Sequence, residues 1–235
     1  MTLIALIQES ASLLNLPRPT LVMGNTDQTI LQLRDMANIA GRSLARTSPP
    51  FQNLIKEKTF TTVAAELQSA LTTLASDFGW FLNGTLGNRT DHRAPYGPLS
   101  ARERQWQATT FTPSIAGSQF YIRGGNLYLS PAPAAGQTAA FEYVSNAWVL
   151  SGSDYYSSYQ ADTDTCLFDD HLMVLEILWR WRKAKGLQYD EEMAEAERER
   201  SKAVARDGGR RVLDLGGKPD YLPRTVNVNE GNWTL

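Results

Sequence analysis

The chain has 235 residues, of which 42% are hydrophobic, 10% aromatic and 20% charged, with 23 Lys plus Arg against 25 Asp plus Glu. That composition excludes a disordered, collagenous or fibrous protein, and a chain this long buries roughly 70% of its unfolded surface without disulfides or metal. A net charge of -2 disfavours a dedicated nucleic-acid binder, and the single cysteine, Cys166, excludes an intramolecular disulfide or a Cys-rich zinc site.

The start has no positive region before Arg18 and is interrupted by Glu9, which predicts no secretory leader. No apolar run is long enough to span a membrane, so a cytosol-like compartment is expected and the sequons at Asn83, Asn88 and Asn232 read as chance matches. Leu3, Ile4, Leu6, Ile7, Leu13 and Leu14 predict a helix over residues 2–15, stopped by Pro17 and Pro19. Asn25-Thr26-Asp27 offers a cap for a second helix to about Arg46, striped by Ile30, Leu33, Met36, Ala37, Ala40 and Leu44. Gly41 inside that helix costs about 1 kcal/mol against Ala and predicts close packing. Residues 59–63 read as a strand and residues 64–75 as a helix.

From Phe78 to Ser145, Gly, Pro and aromatic residues punctuate short apolar runs, the pattern of strands and turns. Residues 80–82 and 84–86 are expected as strands. Ser100 and Glu103 form a capping box ahead of a short helix bearing Trp106. Residues 120–129 read as a hairpin turning at Gly124-Gly125, and residues 138–145 as a strand with Ala139, Phe141 and Tyr143 on one face. Trp148 is expected to extend that strand after a break, ahead of a polar, tyrosine-rich loop over residues 151–166.

The strongest helix signal covers Phe168 to Lys185. Acids lead it and bases end it, matching the helix dipole, and Gly186 is its cap. Leu172, Leu175, Leu178, Trp179 and Trp181 sit in a stretch apolar nearly all round, which predicts burial in a core or between copies of the chain. A last helix, Asp190 to Asp207, is acidic first and basic later, with Glu195–Arg198 and Glu199–Lys202 at i,i+3. Its charges read either as a solvated face or as a contact between neighbouring copies. Residues 208–235 read as an extended arm with dispersed anchors: Val212, Leu213, Leu215, Tyr221, Leu222, Val226, Val228 and Trp233. Such anchors need a surface to bury against, which another chain can supply.

Chemistry is sparse. Asp162-Thr-Asp-Thr165 resembles the start of a phosphatase DxDxT motif, but polar residues precede it where a buried strand is needed. A cation site built from Asp162, Asp164, Asp169 and Asp170 lacks the glycine and terminal Glu of an EF-hand. His92 lies in a polar stretch, and His171 sits in a first helical turn beside two aspartates, where an ion pair is the simple explanation. The chain contains no GxSxG, HExxH, Walker A or GxGxxG pattern. No catalytic, cofactor-binding or metal residue is therefore assigned.

In order and spacing, a series of weak segments resembles the head-to-tail adaptor, or connector, proteins of tailed bacteriophages. They are residues 33–42, Asn83-Gly-Thr85, Gly97-Pro-Leu-Ser100 before Trp106, Leu129-Ser-Pro-Ala-Pro133 with Gly136, Phe141-Glu-Tyr-Val-Ser145 with Trp148, Ala161-Asp-Thr-Asp-Thr165, and Trp179-Arg-Trp181 with Lys185-Gly186. The resemblance extends from the first helix through Gly217. It implies a non-enzymatic virion protein, made in the bacterial host cytoplasm and placed at the neck of the particle. There it would form a homo-oligomeric ring, usually of twelve copies, beneath the portal protein. That ring would extend the channel for passing DNA without reading its sequence, and would offer a platform to a tail or nozzle protein. It also implies that the C-terminal segment docks on the portal.

The expected architecture is α+β: a helical bundle from N- and C-terminal helices, with a β-rich middle insertion and the arm. The units expected are residues 1–79, 80–150, 151–207 and 208–235. The alternatives are a tail-completion or tail-terminator ring protein, and a metal-dependent hydrolase using the Asp162–Asp170 cluster.

Overall fold

Side-chain caps set where the long helices begin. The computed structural model describes residues 1–109 and 118–208, apart from the side chains of residues 107 and 108. Helix α1 (Leu3–Leu13) starts where Thr2 Oγ1 accepts from the Ala5 amide, and α2 (Gln28–Ala45) where the Asp27 carboxylate accepts from Thr29 N at 2.8 Å. Strand β1 (Ile55–Thr61) is followed by β2 (Leu67–Ala70), a single helical turn α3 (Leu71–Leu74), β3 (Phe78–Phe81) and β4 (Gly87–Asn88).

The capping box then opens α4 (Ala101–Thr109): Ser100 N donates to Glu103 Oε2 at 2.7 Å and Glu103 N to Ser100 Oγ at 3.2 Å. Strands β5 (Gln119–Arg123) and β6 (Asn126–Ser130) form the hairpin around Gly124 and Gly125, both at positive φ. Then come β7 (Thr138–Ser145), β8 (Val149–Ser151), β9 (Asp154–Tyr156) and β10 (Thr165–Cys166). Helix α5 (Asp170–Ala184) is capped by Asp169, whose carboxylate accepts from Leu172 N at 3.1 Å, and α6 (Asp190–Asp207) follows.

The strands form three antiparallel sheets, in the orders β1-β7-β3 with β4 also on β7, β10-β8-β9, and β2-β6-β5. Strand β7 joins two cores, although Thr138 and Glu142 on its Val144 face are exposed. Ala139, Phe141 and Tyr143 point into a core shared with Phe81 and Phe120, while Val144 points into the core built by the helices. The Asp77 carboxylate fastens the end of this sheet, accepting from Lys56 Nζ, Tyr143 OH and Ser145 Oγ, each at 2.7 Å. Burial pushes its pKa up, but those hydrogen bonds and the Lys56 charge outweigh burial and hold it down at about 2.

Three expectations change. Residues 64–75 do not form a helix: β2 pairs with β6, and only Leu71–Leu74 makes a helical turn. Glu66 explains the override, because its carbonyl accepts from Leu129 N at 2.8 Å and its carboxylate from Arg104 at 3.0 Å, holding the segment extended. Residues 84–86 are not strand, since the chain turns at Gly84 with φ +80. Trp148 does not extend β7. It precedes β8 of a different sheet, and residues 151–166 carry the short strands β9 and β10 within the expected loop.

Trp148 is fully buried, with Tyr159 edge-on at 5.2 Å and Phe168 stacked at 6.0 Å. Its ring fills the notch left by Gly41, where a Cβ would lie 2.2 Å from ring carbons. Gly41→Ala is therefore expected to lower stability by about 1–3 kcal/mol through overpacking, despite the ~1 kcal/mol helix advantage of Ala. Urea unfolding measures this, and a variant as stable as the parent would contradict the packing.

Candidate functional site

The aspartates that suggested chemistry are spent on the backbone. Asp162 accepts from Val22 N at 3.0 Å and Met23 N at 2.6 Å, and the buried Asp164 accepts from Gln160 N at 2.6 Å and Ala161 N at 2.8 Å. Their carbonyls receive the first amides of α1, from Leu3 at 2.8 Å and Ile4 at 3.2 Å. The DxDxT segment thus ties α1, the α1–α2 link and the approach to α5 into one knot. Asp169 caps α5 and Asp170 pairs with the Met1 ammonium at 2.8 Å, so the four carboxylates do not converge. Among the described residues, no group of three or more His, Cys, Asp or Glu is arranged to hold a metal ion.

The two histidines are exposed, His92 in a turn at φ +52 and His171 on the first turn of α5, where it is Asp170 that makes the ion pair. Cys166 is half-buried, and desolvation pushes its thiol pKa up, away from a reactive thiolate.

Helix α5 concentrates what remains. Leu172 is fully buried, and Leu175 and Leu178 are nearly so. Trp179 and Trp181 are half-buried and face different sides. Trp181 packs against the helical core with the Lys185 ammonium 5.5 Å from its ring. Trp179 carries the Arg180 guanidinium at 4.3 Å from its ring and stacks on Tyr189 at 6.4 Å.

In the middle of the apolar stretch sits Glu176, with no exposed surface. One of its oxygens receives Trp179 Nε1 at 2.9 Å and the guanidinium of Arg180; the other receives Arg200 of α6, whose Nε lies at 3.1 Å. Burial alone would raise its pKa, but the hydrogen bonds and charges of Arg180 and Arg200 win, and the carboxyl is held below its ordinary 4.5. Sequence reading missed this residue. The available signal was a lone acid inside an apolar run with Arg at i+4, ahead of a helix rich in arginine.

Arg182–Glu192 at 2.6 Å is a second tie between α5 and α6. Of the two pairs expected within α6, Glu199–Lys202 forms at 3.2 Å, whereas Arg198 donates to the Ala194 carbonyl. Only Ala196 and Ala203 of α6 are buried, leaving its charged side outward. The arm anchors Val212, Leu213, Leu215, Tyr221, Leu222, Val226, Val228 and Trp233 lie outside the described residues.

The ionisable side chains of this fold cap helices, knot loops and clamp α6 to α5, and it is comparison with family models that gives the chain its class. The chain belongs to the SU10 adaptor protein family, a family of phage head-to-tail adaptors, whose model matches residues 1–217. Among curated proteins none matches. Family membership implies a structural, non-enzymatic virion component associated with portal and tail proteins. Among the described residues, no helix is long and apolar enough to cross a membrane.

Glu176→Gln is expected to lower stability by about 3–5 kcal/mol at neutral pH, because two arginines lose their buried counter-charge. A depressed native pKa contributes stability that is complete above the unfolded value near 4.5 and is lost as pH falls through the lower native value. The gap between parent and variant in urea unfolding should therefore narrow at strongly acid pH. A gap that does not change with pH would contradict the clamp.

Proposed function

We propose that this adaptor assembles as a ring, of twelve copies as in related adaptors, beneath the portal at the capsid vertex. There it extends the DNA channel and presents the platform for a tail or nozzle protein. The observation that supports this reading most is the family match over residues 1–217, which takes in every described element. The helices form the bundle, with the β-rich region inserted between its N- and C-terminal parts; its sheets take in β1 and β2 ahead of the expected 80–150 unit.

Within the ring, α5 and the helices around it supply the packing. Leu172, Leu175 and Leu178 anchor the interior of α5, while the half-buried Trp179 and Trp181 serve the contact zone at its C-terminal end. Residues 208–235 form the arm that reaches the portal, with its eight apolar anchors as the docking groups. A net charge of -2 suits a conduit, since a wall that neutralised many phosphates would retain the DNA passing through it.

Deleting residues 208–235 should leave a chain with an unchanged melting midpoint that no longer attaches to portal-bearing heads. Full attachment of the truncated chain in a head-binding assay would overturn the role of the arm.

A further inference from the structure

Two outward helix faces of this chain carry charge patterns that match each other in one orientation only. On α2 the exposed stripe is Asp35, Ile39, Arg42 and Arg46, spaced four, three and four residues apart, with Ile39 49% exposed at its centre. On α6 the exposed stripe runs from Glu191 and Glu195 to Arg198 and Lys202, with the small residues Ala194 and Ser201 exposed between the charged side chains.

The two stripes cannot meet within one molecule. Helix α5 packs on both helices, reaching α6 through Glu176–Arg200 and α2 through Lys185–Gln32. Residues 176 and 185 are nine apart, which at about 100° per residue puts them on opposite sides of α5. Helices α2 and α6 therefore flank it, each with a side turned to solvent.

We propose that the α6 face of one copy docks antiparallel on the α2 face of the next, a contact that rests on the ring reading above and specifies its subunit boundary. With Ile39 set against Ala194 of the neighbour, Arg42 meets Glu191 and Asp35 meets Arg198. Leu187, 52% exposed, lies in the link that leads into α6, so this orientation turns it towards the Arg46 end of α2. There a cleft of about 310 Å³, bounded by Ala45, Phe78 and Trp80, is open to receive it. A parallel arrangement would instead set Asp35 near Glu191 and the α2 arginines near Arg198 and Lys202.

Exposed ion pairs contribute only about 0.2–1 kcal/mol each, so Ile39 and Leu187 supply attraction and the charges select the orientation. Because the surfaces used are different, the contact is head-to-tail, the kind that closes into a ring when its rotation allows.

The test uses the full chain as Arg42→Glu, as Glu191→Arg, and as an equimolar mixture of the two, with Asp35→Lys and Arg198→Asp as a second pair. Melting midpoints verify folding. Assembly is followed by sedimentation over a concentration series and by counting copies on portal-bearing heads. Each variant alone should need about tenfold more protein to assemble. The mixture should assemble like the parent, because the reversed α2 face of one chain then meets the reversed α6 face of the other. Variants that assemble at the parent's concentration, or a mixture no better than its components, would overturn this contact and leave the ring reading standing. A parent chain that stays single both in solution and on heads would overturn the ring reading itself.

Discussion

Glu176, a carboxylate without solvent in the most buried helix of the protein, must be neutralised where it stands. Arg180 comes from the next turn of the same helix, and Arg200 comes from α6. An isolated buried charge would cost several kcal/mol; Arg180 supplies a counter-charge locally, and Arg200 satisfies the other oxygen and so ties α6 to α5. This makes the position of α6 a consequence of electrostatics more than of apolar contact, since only Ala196 and Ala203 of that helix are buried. A helix with so little apolar surface would otherwise be free to slide or detach. Held by Glu176 at one level and by Arg182–Glu192 at another, it is fixed in rotation, and its remaining charges necessarily point outward.

The β region is joined to this helical core by β7 and Trp148. One face of this eight-residue strand lies in the β core and its Val144 end reaches the helical core, so the strand cannot leave one without disturbing the other. Three residues beyond its end, Trp148 enters the notch at Gly41 and closes against Tyr159 and Phe168. The Asp77 carboxylate binds β1 and β7 at the same end. Load applied to the β region is thereby passed into α2 and α5 through packed aromatic rings and charge-assisted hydrogen bonds, neither of which deforms easily. Such stiffness is what a structural adaptor between head and tail requires.

Much of this was legible in the residues, for reasons that can be named. Helices α1 and α2 announce themselves by apolar period and α2 also by its cap at Asn25-Thr26-Asp27, α5 by its apolar run with acids first and bases last, α6 by the same order of charge, and the 120–129 hairpin by Gly124-Gly125. Gly41 was recognisable as a close approach, although its partner Trp148 lies 107 positions away and no local pattern could supply it. Residues 64–75 misled because alanine and leucine favour helix locally, while the partner strand β6 is distant in sequence. The aspartates of 162–170 looked like a cluster because spacing says nothing about direction; in the fold, each turns to a different backbone segment. Glu176 escaped notice because the apolar residues around it set the expectation, and its second arginine belongs to another helix.

These features divide the molecule's electrostatics by location. Buried charges, at Glu176 and Asp77, are paired and hold the chain in one shape. Of the exposed charges along α2 and α6, Asp35 pairs with its neighbour Arg34 and Lys202 with Glu199, whereas among the described residues Glu191, Glu195, Arg42 and Arg46 form no ion pair. An exposed pair is weak and screened by salt, with a Debye length near 8 Å at physiological ionic strength. In the proposed contact between copies, such pairs would reject wrong orientations, and repetition around a closed ring would multiply a small preference into a stable one. Rigid interior pairs thus hold one copy in shape, while the unpaired surface charges are the groups that the proposed contact between copies would use.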